Sequence, residues 1–204
     1  MTADKGPPFE VLSRVADIKD SVKRFGADLK RPDPIGIPLI VLAFLFASLL
    51  IFSPLFIERD TIDLGEDGTV GEAEHEEVID GIGNPLVRFA YRFGDRYCHQ
   101  KDHRSLFLNG NQMPVCARDI GLFAGIFLGS VIGAMYKRSI KLWVLLLFLL
   151  PMAIDGGLQA LTAYESWNPL RVATGTIGGL GIGIYINGSL VHAVRLLLYR
   201  FKKG

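Results

Sequence analysis

The sequence predicts an all-α integral membrane bundle of four transmembrane helices, with an N-terminal cytoplasmic amphipathic helix and a second amphipathic helix outside. Three observations carry that reading. Half of the 204 residues are hydrophobic and the mean hydropathy is +0.31, which departs from an ordinary soluble domain toward a small polytopic membrane protein. The apolar residues gather into four runs, each long enough to cross a hydrocarbon core about 30 Å thick as a helix. Lysine and arginine gather in the segments between alternate runs, as they do on the cytoplasmic side of a membrane.

The first span, 35–57, "IGIPLIVLAFLFASLLIFSPLFI", carries no charge and stops at Glu58. The second, 114–136, "PVCARDIGLFAGIFLGSVIGAMY", has its only charges, Arg118 and Asp119, in its first two turns. The third, 142–164, holds one acid, Asp155, and Pro151 predicts a bend. The fourth, 172–194, is rich in glycine. Gly121, Gly125, Gly129 and Gly133 recur every four residues, as do Gly175, Gly179 and Gly183. That spacing lets helix backbones approach closely in lipid and is read as packing, not as a phosphate-cradling loop.

Orientation follows from the basic residues. Lys19, Lys23, Arg24, Lys30 and Arg31 precede the first span, whereas Arg59 is the only base between Glu58 and Glu77. Lys137, Arg138 and Lys141 crowd the second connection, and Arg195, Arg200, Lys202 and Lys203 follow the fourth span. Both termini are therefore expected in the cytoplasm of a multi-pass cell-membrane protein. No small-x-small cleavage site follows the first span, so it is expected to remain as an anchor. The domain plan is a cytoplasmic segment 1–34, a membrane domain 35–194 with an external loop 58–113, and a basic cytoplasmic tail 195–204.

The connecting segments differ in character. Val11, Val15, Ile18, Val22, Phe25 and Leu29 alternate four and three apart, the period of an amphipathic helix lying on the inner membrane surface. Residues 58–80 hold ten acids against Arg59 and are expected to form a solvated, flexible loop. In "NPLVRFAYRFGDRY", Asn84 is a helix N-cap and Pro85 its first residue. Leu86, Phe89, Ala90, Phe93 and Tyr97 share one face, and Arg88, Arg92 and Arg96 another, placed to snorkel to lipid phosphates.

The polar chemistry concentrates in "YCHQKDHRSLFLNGNQMPVCARDIG". On the expected topology Cys98, His99, His103, Arg104, Cys116, Arg118 and Asp119 all lie outside. Asp155 falls in the outer part of the third span, with Gln159 and Thr162 on its face, and "YESWNPLRVATG" brings Glu165, Ser166, Asn168 and Arg171 to the same level. An ionisable residue within a span is costly and normally faces a partner or an aqueous cavity. Convergence of three separate stretches at one depth therefore marks a site.

The order "CHQ", "RS", "G", "PVCARDIGLFAG", "IDGGLQ" and "NPLRVATG", over about residues 88–188, resembles a family of prokaryotic polytopic membrane proteins classed as a domain of unknown function. The resemblance supports the site and implies no reaction.

Two function classes stay open. In the first, Cys98, His99 and Cys116 hold a metal such as zinc, with Asp155 or His103 completing the shell and an open position activating water. Asp155, Arg118 and Arg171 then form the catalytic set, the arginines holding a lipid-linked or otherwise anionic substrate. In the second, the protein is a non-enzymatic scaffold or transport component, and Cys98 and Cys116 form a disulfide or a zinc staple. A bridge closing a loop of about 19 residues contributes on the order of 3 kcal/mol in the loop-entropy model. Strain or exposure would instead make the pair a redox couple. Asp155 paired with Arg118 or Arg171 then fixes helix register, or lines a solute path that calls for a homo-oligomer. Membrane lipids are the expected partners. Ser105 and Ser166 lack a Gly-x-Ser-x-Gly elbow, and nothing in the chain points to nucleic acid.

Overall fold

The computed structural model describes residues 32–203, apart from 66, 67, 69, 72, 137 and 138. The amphipathic pattern between Val11 and Leu29 lies outside the described residues. Four helices have the length and apolarity to cross a membrane, over Pro34–Phe56, Ala117–Tyr136, Leu142–Leu161 and Asn168–Phe201. The elements in chain order are α1 (Ile37–Phe52), α2 (Glu76–Asp80), α3 (Pro85–Tyr97), β1 (Ser105–Leu108), β2 (Asn111–Cys116), α4 (Ala117–Tyr136), α5 (Leu142–Leu161) and α6 (Asn168–Lys203), with short 3-10 turns before and after α1.

Three span boundaries differ from expectation, each for a local reason. Pro114 to Cys116 pair as strand with β1, so the second span starts at Ala117. The third ends at Leu161, where the Thr162 backbone turns extended. The fourth begins at Asn168, ahead of Pro169, and runs on through the basic tail. The helical expectation holds, with one two-stranded β-hairpin beside the helices among the described residues. Asn109 and Gly110 both have positive φ, 57° and 72°, the two-residue turn that an Asn-Gly pair favours.

The α4–α6 pair is the spine of the bundle. A Cβ on Gly125 would lie 2.3 Å from the Thr176 carbonyl oxygen, and one on Gly179 2.1 Å from that of Leu122. Backbone therefore meets backbone along the glycine rows. Gly179→Val should cost about 1–3 kcal/mol through overpacking, read as a lower unfolding temperature in detergent. Gly157→Val in α5, where nothing lies within 4 Å, should cost little.

At the end of the bundle away from the hairpin, Asn187 donates to Ser130 O at 2.8 Å and to Gly36 O at 3.2 Å. Buried Asp33 caps its 3-10 turn through Ile35 N and pairs with Arg195. These bonds tie α1 to α4 and α6 without a hydrophobic driving force between helices, as packing in lipid requires.

The opposite end is a platform built from the described residues between 57 and 116. Residues 58–80 are not a purely solvated loop: Ile62, Leu64 and Ile79 are buried with Ile82, Val87 and Tyr91. Asn111, fully buried, accepts from Thr61 N and Ile62 N, each at 2.8 Å, and donates to Glu58 O at 2.9 Å. Gln112 accepts from Leu64 N at 2.8 Å. His75 sits between Asp95 Oδ1 and Leu64 O, each 2.8 Å from a ring nitrogen. Such bonds satisfy backbone groups that neither helix nor sheet serves.

The apolar face expected of α3 divides in two. Ala90 is buried, and Phe93 makes edge contacts with Phe46 of α1 and Phe123 of α4, centroids 5.1 and 5.9 Å away. Leu86, Phe89 and Tyr97 remain exposed. Arg92 reaches Asp80 at 2.5 Å, and Arg88 Nε donates to Ile82 O at 2.8 Å, so these two arginines turn to protein partners.

Candidate metal centre and its polar surround

Cys98 follows α3, and Cys116 ends β2 immediately before α4. The antiparallel hairpin returns the chain to its starting level, so the two cysteines meet. Donor atoms of Cys98, His99 and Cys116 all lie within 4.8 Å of one another, and both cysteines are buried and free. A zinc ion would require only short movements, since its sulfur and nitrogen ligands sit about 2.0–2.3 Å from the metal.

Backbone N–H groups point at both sulfurs. Cys98 Sγ accepts from Cys116 N at 3.2 Å and from the Gln100 backbone. Cys116 Sγ takes the N-cap position of α4 and accepts from the Asp119 backbone. The hydrogen bond from Cys98 holds the Cys116 thiol well below its ordinary range. Burial opposes this, and the hydrogen bond and field of His99 reinforce it. The same bond raises the Cys98 thiol, aided by burial and by the negative charges of Cys116 and Asp119. The pair thus holds one proton, on Cys98, with Cys116 as the thiolate.

Lys101 N donates to His99 Nδ1 at 3.1 Å, which leaves Nε2 as the donor of the neutral ring. Metal ligation by His99 therefore exchanges a bond: the ring either gives the ion Nδ1 in place of Lys101, or moves its proton from Nε2 to Nδ1. The backbone of Gly68 lies against the His99 carbonyl, and the adjoining space, lined by Gly68, His75, Asp95, Cys98, His99 and Gln100, is too tight to admit a water-sized sphere. Small-molecule sites usually need about 300 Å³ or more.

The supporting amides escaped the sequence reading. Gln100, φ +45° and buried, donates to Pro114 O at 2.7 Å. Gln112 Nε2 donates to Ser105 Oγ at 3.1 Å and to Gln100 O. Tyr91 gives its hydroxyl to Gln112 O at 2.6 Å, and burial raises its phenol so that it stays a donor. The visible signal was the Asn109-Gly110 turn, which sets Gln112 opposite Phe107 in the hairpin.

The second polar group lies on the α5–α6 side. Arg118 Nη2 meets Asp155 Oδ2 at 2.5 Å and Gln159 Oε1 at 3.2 Å, and Tyr164 OH meets Asp155 Oδ1 at 3.3 Å. Arg171, 2% exposed, pairs with Glu165 and donates to Asn168 Oδ1 at 2.8 Å. Arg104 meets Glu165 Oε2 at 2.8 Å. Partial burial works against the Glu165 carboxylate, but Arg104 and Arg171 hold it below its ordinary range. This pairing is fully present above that range and is lost only as pH falls through the depressed value.

The structure therefore brings Cys98, His99 and Cys116 together and places Asp155, Arg118 and Arg171 in a separate ion-paired group. Neither residue expected to complete a metal shell does so. Asp155 is taken by Arg118, and His103 Nδ1 sits 3.0 Å from Asp102 beside Glu165. Asp119, in the first turn of α4, lies within electrostatic reach of both sulfurs.

Residues 98–185 match the family described as "Predicted membrane protein (DUF2085)", a range that opens on Cys98 and includes every candidate site residue. An uncharacterized protein of Methanocaldococcus jannaschii is 40% identical over 94 residues, covering 44% of this chain and 60% of that protein. This chain thus spans about 60% of that relative's length. An uncharacterized protein of Methanothermobacter thermautotrophicus is 34% identical over 102 residues, covering 48% of this chain and 86% of that protein. No solved structure matches the chain. Sequence likeness across most of the second relative, four apolar helices of spanning length and the family match agree: the chain belongs to the DUF2085 family of membrane proteins.

Proposed function

We propose that the protein is a non-enzymatic membrane scaffold whose platform is held to the bundle by a structural metal ion, most simply zinc, bound through Cys98, His99 and Cys116. The observation that carries this reading is the buried meeting of the three donors within 4.8 Å. The backbone N–H bonds to both sulfurs support it, since they stabilise thiolates that would otherwise repel. A structural site is closed, whereas a catalytic one keeps an open position and a route to it. The small space beside His99 favours the structural kind. On this reading Arg118–Asp155 and Arg171–Glu165 are locks that set helix register at the platform, as buried ion pairs can.

The test is elemental analysis of protein purified without chelator. About one zinc per chain is expected, falling to background in Cys98→Ser; a metal-free wild type with reduced thiols would sink the reading.

The platform is placed outside the cell and both termini in the cytoplasm, on the distribution of lysine and arginine. Val70, 62% exposed, suits a reporter on the platform, and Ser139 one at the opposite end. An impermeant thiol reagent should label Val70→Cys in intact cells and Ser139→Cys only after permeabilisation. The reverse pattern would invert the protein.

A further inference from the structure

We infer that Asp119 is the fourth ligand, closing a tetrahedral Cys98–His99–Cys116–Asp119 site for a zinc-class divalent cation. The inference rests on the metal-staple reading and extends it. Asp119 lies in the first turn of α4, three residues after Cys116, so the helix carries its carboxylate back toward the sulfur that caps the same helix. The carboxylate lies within electrostatic reach of both sulfurs. It interacts with both sulfurs from outside the three-donor group, so as a fourth ligand it would close in on the ion when the metal binds.

Charge supports the assignment. Two thiolates and a carboxylate crowded together in a buried setting repel, and burying an uncompensated charge is costly. Arg118 is adjacent in sequence, but its guanidinium is committed to Asp155 and Gln159. A divalent cation offsets two of the three negative charges that two thiolates and a carboxylate bring as ligands. Carboxylate oxygen ligates zinc beside thiolate and imidazole. Unlike His99, Asp119 needs no change of tautomer to ligate. It also joins the ion directly to α4, so the metal clamps the platform onto the spanning helix that forms the spine with α6.

Cobalt(II) loading of the full chain in detergent tests this, because thiolate-to-cobalt charge transfer and the ligand-field bands report ligand type and number. Wild type should show a four-coordinate spectrum with two thiolates. Asp119→Asn should bind cobalt more weakly by at least the roughly 100-fold that losing a supporting group at a metal site can cost. Asp119→Cys should keep tight binding and gain charge-transfer intensity for a third thiolate, a readout that survives if the asparagine variant fails to fold. Asp155→Asn, which breaks the neighbouring ion pair, should leave the spectrum unchanged. Wild-type affinity in Asp119→Asn together with an unaltered spectrum in Asp119→Cys would overturn the fourth ligand and leave the three-residue staple standing. A wild type with free thiols that binds no cobalt would overturn both.

Discussion

Cys116→Ser should release the metal and lower the unfolding temperature in detergent by on the order of 10 °C, the equivalent of about 4 kcal/mol for a chain of this size. Cys116 is a metal donor, the N-cap of α4 and the partner of Cys98 at once. Serine can still cap the helix, so the loss isolates the sulfur's role as a ligand. Without the ion, the stretch from Cys98 to Cys116 keeps its hairpin bonds but loses its clamp to α4. Limited proteolysis should then cut within the platform before the spans. An unchanged unfolding temperature in a variant that no longer holds metal would show that the ion does not support the fold.

Asp155→Asn carries the second large effect. Asp155 is 5% exposed and faces Arg118 at 2.5 Å, with Tyr164 and Gln159 completing the group. Removing the charge leaves the Arg118 guanidinium uncompensated at the edge of the membrane, and breaking a buried pair this way costs about 3–5 kcal/mol. Asp63→Asn, on the exposed side of the acidic segment, is the control and should cost less than about 0.5 kcal/mol. Equal tolerance of the two changes would remove Asp155 as a lock. Restoration by a second change, Arg118→Met, would identify the penalty with the orphaned charge, since apolar replacement of a whole pair is often neutral.

The spans were legible because lipid imposes one dominant constraint, runs of apolar residues without charge, and hydropathy reads it directly. The glycine rows were legible for a similar reason: close approach leaves few residue choices. The platform was harder. Its strands, "SLFL" and "NQMPVC", are too short for a period to emerge, although Asn109-Gly110 between them is a recognised hairpin turn. Burial of Ile62, Leu64 and Ile79 within an acidic segment was hidden because ten acids dominate its composition. The amides of Gln100, Asn111 and Gln112 announce no chemistry in a sequence; their task is to satisfy backbone groups, which only the folded arrangement defines. Cysteine and histidine were conspicuous by type. Asp119, beside Arg118, carried no role of its own in the sequence; in the fold Arg118 turns to Asp155 and Asp119 to the sulfurs.

The metal-clamped cluster is the central claim, and the state of its two sulfurs tests it most directly. Protein purified under air is denatured with and without chelator, then exposed to an alkylating reagent before any reductant is added. A metal site leaves both sulfurs as thiolates once the ion is released, so Cys98 and Cys116 should both alkylate when denaturant and chelator are present, with zinc released in step. Sulfurs that resist alkylation until reduced, in protein carrying no stoichiometric metal, would show a disulfide in its place and contradict the account.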